Sequence, residues 1–274
     1  MKILFITNAS GPDYLSDTIF HGGKSVFGES FYETNKLWYM YDDLIGKENL
    51  YGRGFTMYGK LPSNSYSSLN NPIVELINEK YFDKIIYGSI WRCSDYLDIV
   101  LKTYNKNDII FIDGEDNGEI KHDMVNKGLY FKREYYSQIE GVYPISFSIP
   151  EELILKTPPS KTKLISDIIP NFNQNYNYHD ENEYYTEYSS SCYGVTMKKG
   201  GWDCLRHYEI MMNGCVPIFE GLIDCPQLTL TTLPKTELIK MGQSKECNSE
   251  YTDFILDYTK NNLTTKHMIN KIIN

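Results

Sequence analysis

Cations and a carboxylate cluster around a pair of glycines in the second half of the chain. Lys198 and Lys199 precede the glycines, and Arg206 and Glu209 follow them. A helix that begins after the glycines would attract an anion, because its first N–H groups are unpaired and its dipole is positive there. Arg206 and Glu209 would share one face of that helix. Cations for a diphosphate and a carboxylate for a ribose diol suit a nucleotide, although an ordinary surface Arg–Glu pair has the same spacing.

The residues around these side chains predict a loop, a helix, a turn and a strand. Asp203 is the predicted N-cap, with the glycine pair as the looser alternative. Apolar side chains recur at helical spacing over residues 205–212. Asn213 and Gly214 end the helix, because both readily take the left-handed conformation of a C′ residue. Residues 215–219 are short and apolar, which is typical of a buried strand.

An aspartate and a histidine near the N-terminus predict a general base. Residues 3–7 form an apolar first strand, and ligands of open α/β sheets bind at the carboxyl ends of strands. The polar loop at residues 8–13 is therefore the first place to look for an acceptor. Asp17 and His21 share a helix face if residues 14–21 are helical, and an Asp–His pair is a standard general base. A helix N-terminal aspartate and a surface histidine would show the same spacing.

An acidic turn and a basic dipeptide offer further chemistry. The acidic turn comprises Asp113, Glu115 and Asp116 and follows a predicted strand. Three interpretations are open. The carboxylates could bind Mg²⁺ or Mn²⁺ together with a nucleotide. The turn could simply end the strand, or a carboxylate could contact an acceptor. Lys132 and Arg133 lie between aromatic residues, a pattern that predicts either phosphate or acceptor contacts or a solvated basic patch.

Composition and cysteine spacing exclude several classes. The net charge of −9 argues against a nucleic-acid binder that depends on a global positive field. The six cysteines show neither C-x-x-C nor zinc spacing. The N-terminal apolar run is too short for a signal peptide, and no stretch is long enough to span a membrane. We therefore expect a reducing, cytoplasmic compartment.

The alternation of predicted elements indicates an α/β fold with parallel, doubly wound sheets. Further strands are predicted at residues 26–33, 82–88, 108–113, 144–150, 163–169 and 228–233, and helices at residues 35–44, 72–79, 95–103, 251–258 and 264–273. The segment 171–191 is predicted as a helix or a mobile loop over the nucleotide site. The prolines that bracket residues 144–150 mark the passage between two domains, 1–143 and 144–274.

The glycine pair, the Arg206–Glu209 helix and the Gly-Cys-Val-Pro-Ile run after it resemble the donor-binding region of exostosin-like and related GT-B glycosyltransferases. Weaker stretches at residues 52–56, 111–116, 130–134 and 144–147 are similar to small viral and bacterial members, including the xylosyltransferase type of algal viruses. The resemblance extends from about residue 15 to residue 226.

The resemblance implies two Rossmann-like domains whose parallel sheets face each other across a cleft, an N-terminal acceptor domain and a C-terminal donor domain. It implies transfer of a sugar from a nucleotide-sugar, expected to be UDP-linked, to an acceptor glycan, with inversion and without a divalent metal or other cofactor. Asp17 is then the first choice of base and His21 the second, while the acidic turn, Lys132 and Arg133 line the cleft. The implied donor-binding residues are Ser190, Tyr193, Lys198, Lys199, Arg206 and Glu209.

Three other functions stay open at this point. A metal-dependent GT-A-type transferase would use the acidic turn as its metal site. A non-catalytic module would bind a nucleotide-sugar or a glycan without turnover. A nucleic-acid glucosyltransferase is disfavoured by the negative charge. The expected partners are the donor and a glycan acceptor, with no nucleic acid and no membrane span, in the cytoplasm (that of the host if the protein is viral).

Overall fold

Short strands alternate with helices along the chain, as the apolar pattern predicts. The computed structural model describes residues 1–69, 71–170, 178–244 and 246–274. The strands are β1 (Ile3–Ile6), β2 (Phe31–Glu33), β3 (Lys84–Tyr87), β4 (Ile109–Asp113), β5 (Leu129–Lys132), β6 (Val142–Pro144), β7 (Lys163–Ile165), β8 (Ser191–Met197) and β9 (Val216–Glu220). The helices are α1 (Tyr14–Phe27), α2 (Ile73–Asn78), α3 (Leu97–Thr103), α4 (Glu181–Ser189), α5 (Leu205–Met212), α6 (Lys235–Gly242), α7 (Ser249–Asn262) and α8 (Thr265–Ile273).

The first sheet has six strands in the order β2-β1-β3-β4-β5-β6, and every neighbouring pair is parallel. The strand order reverses between β1 and β3, because β2 lies on one side of β1 and β3 on the other. The four residues of β1 are fully buried, which confirms the central strand that the apolar run predicts. Loops at the carboxyl ends of β1 and β3 therefore border the crevice where doubly wound sheets bind ligands.

The second sheet has three parallel strands, β7-β8-β9, and α5 connects β8 to β9. The loop, helix, turn and strand predicted here are confirmed. Gly214 takes a left-handed φ of 62° directly after the helix, as a C′ glycine does. The two parallel sheets are compatible with Rossmann-like domains.

Three predicted elements are wrong, and in two of them the backbone bonds to distant segments instead. Residues 35–44 are not an α-helix, since amides of residues 59–61 bond to the carbonyls of Tyr39 and Met40. Residues 144–150 are not a strand beyond Pro144, since Phe147 N donates to the Asp203 carboxylate. Residues 228–233 form turns and bends. Of residues 26–33, the last three form a strand, β2, and α1 extends to Phe27. The predicted helix or loop at residues 171–191 forms α4, while residues 171–177 lie outside the described residues.

The C-terminal helix returns to the first sheet's side of the molecule. A Cβ atom on Gly22 of α1 would lie 2.2 Å from the carbonyl oxygen of Thr265 in α8, so this close approach requires glycine. The boundary predicted after residue 143 falls inside β6 (Val142–Pro144), and α8 packs on α1 across that boundary. Among the helices that the structure describes, none combines the length and apolar character needed to cross a membrane.

Candidate functional site

The first turn of α5 faces the first sheet and has no side-chain cap. The N-cap residue is Cys204 rather than the predicted Asp203, and within the described chain its side chain bonds to no N–H of the first turn. Asp203 instead accepts hydrogen bonds from Phe147 N (2.8 Å) and from the Tyr208 hydroxyl (2.9 Å). The start of α5 therefore keeps the positive dipole end that the sequence predicts and lacks the acceptor a cap would supply.

Lys198 and Lys199 lie in the loop from β8 to α5, and both are exposed. The Lys198 ammonium sits 5.1 Å above the ring centre of Trp202, and Lys199 Nζ donates to the carbonyl of Pro170. The loop leaves the carboxyl end of β8, the end at which a parallel sheet presents its ligand site. The structure thus brings the two lysines close to the start of α5 in sequence and in space.

Glu209 is buried and bonded to hydroxyl groups from two different parts of the chain. Its Oε1 accepts from the Thr56 hydroxyl (2.5 Å) and its Oε2 from the Tyr184 hydroxyl (2.7 Å). Burial raises the pKa of Glu209, and these two hydrogen bonds and the charge of Arg206 oppose the rise. Arg206 is half-buried and its charge also acts on Tyr184, so the predicted Arg–Glu face is not an ordinary solvated pair.

The loop that reaches Glu209 belongs to the N-terminal half and is strained. We name residues 52–56 the left-handed loop, because Gly52, Arg53, Gly54 and Thr56 have φ of 59°, 57°, 71° and 68°. Left-handed non-glycine residues cost of order 1–3 kcal/mol each and persist only where the surroundings hold them. Here Glu181 of α4 holds the loop, since its Oε1 accepts from Thr56 N at 2.6 Å.

The hydroxyl groups of Ser190 and Tyr193 bond to carbonyls of the C-terminal half. The Ser190 hydroxyl donates to the carbonyl of Glu187 (3.1 Å), and the Tyr193 hydroxyl to the carbonyl of Glu246 (2.9 Å). Ser190 precedes β8 whereas Lys198 follows it, and a strand of this length separates its ends by roughly 20 Å. The structure therefore does not bring Ser190 together with the lysines.

Asp113 of the acidic turn is buried, and both of its oxygens accept hydrogen bonds from the protein. Its Oδ1 accepts from Lys132 Nζ (2.8 Å) and Glu115 N (3.2 Å). Its Oδ2 accepts from Trp91 Nε1 (2.8 Å) and the Tyr130 hydroxyl (2.5 Å). A carboxylate has about four acceptor sites, so the protein itself fills those of Asp113.

Arg133 joins the first sheet to the start of α5. Its Nε and Nη2 donate to the carbonyl of Gly114 (3.1 and 2.9 Å), and Nη1 donates to the carbonyl of Asp203 (2.6 Å). Nη1 also bonds to Glu134 (3.2 Å), and Nη2 bonds to Asp116. All donors of the guanidinium are therefore used inside the protein. The solvated basic patch that was one interpretation of Lys132 and Arg133 is wrong, because both side chains are buried.

The acidic turn does not gather around one point. Its three carboxylates pair with three different cations, Lys132, Arg92 and Arg133. Within the described ranges, no three His, Cys, Asp or Glu side chains are grouped as metal ligands. The geometry of the turn therefore gives the metal-dependent alternative no support, and the expectation of metal independence stays a prediction.

The predicted pairing of Asp17 with His21 is wrong, although α1 forms as expected. Asp17 is fully buried and accepts from the Tyr39 hydroxyl (3.2 Å), the Tyr58 hydroxyl (3.1 Å) and Asp13 N (2.9 Å). Burial raises the pKa of Asp17 well above its ordinary value, and the charge of Asp13 raises it further. The tyrosines leave Asp17 no face from which to reach an acceptor.

The His21 ring bonds to two residues of the C-terminal half. Its Nδ1 lies 2.9 Å from Thr265 Oγ1 in α8, and its Nε2 lies 3.1 Å from Glu152 Oε1. The ring is almost fully buried, so the interpretation as an exposed surface histidine is wrong as well. His21 therefore contacts the C-terminal helix and the passage between the halves.

Sequence reasoning did not identify two residues, Asp13 and Arg92, at the point where the strand order reverses. Arg92 follows β3, and its Nη1 lies 3.1 Å from Asp13 Oδ2 while its Nε donates to Glu115 Oε1 at 3.2 Å. The polar loop at residues 8–13 pointed to Asp13. Nothing in the sequence distinguishes Arg92, because it is a single arginine after a strand. The two meet because β1 and β3 are neighbours with parallel direction.

Two surface cavities lie away from Glu209 and the start of α5. One of about 580 Å³ lies at the amino ends of β1 and β3 beside Lys84, and one of about 670 Å³ lies between Glu152 and Lys266. Neither includes Glu209, because the left-handed loop and α4 already cover that carboxylate.

Cys192 and Cys247 form a disulfide with a Cα–Cα distance of 5.5 Å. The reducing compartment was expected because the sequence shows neither a signal peptide nor a membrane span, and free thiols would accompany it. The disulfide departs from that expectation. The bridge fixes β8 to the residue just before the N-cap of α7.

Compared with protein-family models and with curated protein sequences, the chain matches none significantly. The resemblance to exostosin-like enzymes therefore rests on the sequence motifs alone.

Proposed function

We propose that the protein is a glycosyltransferase of the GT-B type that moves a sugar from a nucleotide-sugar to an acceptor glycan. One observation carries the proposal above the others. The buried carboxylate of Glu209 accepts two hydroxyl hydrogen bonds, one on each oxygen, on the same helix whose uncapped start follows two exposed lysines. That combination suits a ribose diol and a diphosphate.

The donor diphosphate would bind at the start of α5. Lys198 and Lys199 supply positive charge, and the first-turn N–H groups supply directed donors. Arg206 adds a third charge from the half-buried face of the helix. Glu209 would accept the ribose hydroxyls in place of Thr56 and Tyr184, whose positions show that it bonds paired hydroxyl groups.

Cations at the diphosphate act on the bond that breaks. Transfer cleaves the bond between the anomeric carbon and a phosphate oxygen, and negative charge develops on the leaving diphosphate. Fixed positive charge in that place stabilises the transition state more than the ground state. The lysines supply this charge from the chain, so we expect activity without a divalent metal. The expectation of a UDP-linked donor comes from the family resemblance alone.

The test is a thermal-shift screen against UDP-, GDP-, CMP- and ADP-sugars, with and without Mn²⁺. A ligand at a hundred times its Kd stabilises the protein by about 2.7 kcal/mol, which moves Tm by several degrees. We expect a metal-independent shift with one nucleotide class that is lost in the double variant Lys198→Ala/Lys199→Ala. Lys106→Ala, which removes an exposed charge at the amino end of β4, is the control and keeps the shift.

The outcomes separate the alternatives. A shift that needs Mn²⁺ supports a metal-dependent transferase, and no shift with any donor contradicts nucleotide-sugar binding. A shift without nucleotide release in the presence of glycans supports a non-catalytic binding module.

A further inference from the structure

Asp13 lies at the carboxyl-end crevice of the first sheet, in the loop from β1 to α1. Its Oδ1 accepts from Ser16 N (3.4 Å) and so caps α1. Its Oδ2 is buried and accepts no hydrogen bond from the residues that the structure describes. Arg92 Nη1 lies 3.1 Å from Oδ2, within ion-pair range but outside hydrogen-bond alignment. One oxygen of Asp13 thus has an unused acceptor site.

The surroundings make this carboxylate more basic than an exposed one. Burial raises the pKa of Asp13, and the charge of Glu115 raises it further. The charges of Arg92 and Arg133 and the hydrogen bond from Ser16 N oppose the rise without cancelling it. A general base works best when its pKa approaches the working pH, so the shift is in the useful direction.

We propose that Asp13 is the catalytic base that takes the proton from the acceptor hydroxyl. This inference rests on the proposed glycosyltransferase function. The acceptor oxygen forms a bond to the anomeric carbon of the donor sugar, and the bond from that carbon to the diphosphate oxygen breaks. The diphosphate leaves with the electron pair, and the hydroxyl proton moves to Oδ2 of Asp13.

Other carboxylates near the crevice are less suited to this step. Asp17 accepts three hydrogen bonds and is fully buried, and Asp113 is saturated by four donors. Asp116 is paired with the buried Arg133 guanidinium. Asp13 differs from Asp17 and Asp113 in that one of its oxygens, the buried Oδ2, accepts no hydrogen bond from the described residues, and 14 % of its side chain is accessible.

A chain of contacts connects Asp13 to the donor helix. A Cβ atom on Gly114 would lie 3.5 Å from Asp13 Oδ1. The carbonyl of Gly114 accepts from Arg133, which also bonds to the carbonyl of Asp203 directly before the N-cap of α5. Asp13 and the start of α5 are therefore linked through Gly114 and Arg133.

The loop after β3 offers the acceptor a surface beside Asp13. Trp91 is 40 % exposed, and its Nε1 is fixed by a 2.8 Å hydrogen bond to buried Asp113. A fixed indole presents a flat apolar face of the kind on which a sugar ring packs. Arg92, next in the chain and half-exposed, places donors for sugar hydroxyls near Asp13. The acceptor class that this surface fits is a saccharide.

The test compares the wild type with Asp13→Asn in the full-length chain. Asparagine still caps α1, so the fold is kept while the basic oxygen is lost. Nucleotide release is measured with the donor sugar that gives the thermal shift and with a panel of methyl glycosides and short oligosaccharides. General-base catalysis contributes about 10²–10⁴-fold, so we expect kcat to fall by about 100-fold or more with the donor Kd unchanged. Asp98→Asn, at an exposed position in α3, is the control and keeps wild-type kcat.

The pH profile adds a second readout. The wild-type kcat/KM falls on the acid side as Asp13 is protonated, and Asp13→Asn loses that limb. The charged groups that face Asp13 are Arg92 and Glu115 from the neighbouring loops, Arg133 directly after β5 and Asp17 from α1, so each variant is compared over the same pH range.

Two outcomes overturn the proposal in distinguishable ways. Wild-type turnover together with Asp13→Asn turnover within about tenfold overturns the assignment of Asp13 and leaves the glycosyltransferase function intact. No nucleotide release by the wild type with any donor and acceptor of the panel overturns both.

Discussion

The hydroxyl of Thr56 donates a 2.5 Å hydrogen bond to Oε1 of Glu209, and so joins the N-terminal half of the chain to the helix of the proposed donor site. Thr56 is fully buried and has a left-handed φ of 68°, and its own N–H is held by Glu181 at 2.6 Å. The Thr56 hydroxyl thus occupies the Glu209 oxygen that we expect a ribose hydroxyl to bind. A nucleotide must displace Thr56 before Glu209 can bind it.

Removal of the Thr56 hydroxyl is expected to tighten nucleotide binding. In Thr56→Val the free protein leaves a buried carboxylate oxygen without a donor, which costs about 1–3 kcal/mol, and the ribose hydroxyl supplies the missing bond. The Kd for the UDP-sugar should fall by about tenfold, as measured by calorimetry. Thr56→Ser keeps the hydroxyl and serves as the control with wild-type Kd. Weaker binding in Thr56→Val would show that Thr56 contacts the ligand rather than competing with it.

The two glycines before α5 differ in what surrounds them, and the difference predicts opposite tolerances. A Cβ atom on Gly201 would lie 2.4 Å from Glu134 Oε1, and Glu134 is fully buried. A Cβ atom on Gly200 would lie 2.4 Å from Asp116 Oδ2, and that side chain is 66 % exposed. The Asp116 carboxylate can move into solvent, whereas Glu134 is fixed.

Gly201→Ala should therefore lower the free energy of unfolding by about 1–3 kcal/mol, the usual cost of overpacking. Gly200→Ala is the matched comparison and should lower it less, because the exposed Asp116 side chain can shift although it also bonds to Arg133. Urea unfolding of both variants measures the difference. Equal destabilisation by the two substitutions would contradict the close approach of Gly201 to Glu134.

Local sequence patterns predict part of this site, and contacts between distant segments form the rest. The β8–α5–β9 unit was predictable because its apolar spacing and its Gly214 turn are local signals. The partners of Arg133 were not, because Asp203 meets it only through the packing of two sheets. The burial of Asp17 was not predictable, because Tyr39 and Tyr58, which bond to it, come from segments distant in the sequence.

Asp203 predicts a pH dependence of stability. Burial raises the pKa of Asp203 to about 7 from 3.8, with the charge of Arg133 and the hydrogen bond from Phe147 N opposing the rise. The folded state therefore binds the proton more tightly than the unfolded state, so this residue's contribution to stability is present below pH 3.8 and is lost as the pH rises through about 7.

The measurement is the free energy of unfolding of the wild type and of Asp203→Asn at intervals from pH 4 to pH 8. Because asparagine does not titrate, the wild type should lose stability relative to the variant as the pH rises across this window. The difference between the two curves isolates Asp203 from other carboxyls whose pKa burial also raises, such as Glu33 and Asp17. A constant difference between the curves would contradict a raised pKa at Asp203.

The Cys192–Cys247 bridge predicts a response to reductant. A disulfide restricts the unfolded chain and typically contributes about 2–4 kcal/mol, so dithiothreitol should lower Tm by several degrees. Denatured, unreduced protein should show four titratable thiols, those of Cys93, Cys204, Cys215 and Cys225. Cys247→Ser removes the response, and Cys93→Ser, outside the bridge, retains it. Six thiols in protein purified without reductant would show that the pair is reduced as isolated and would restore the expectation of free cysteines.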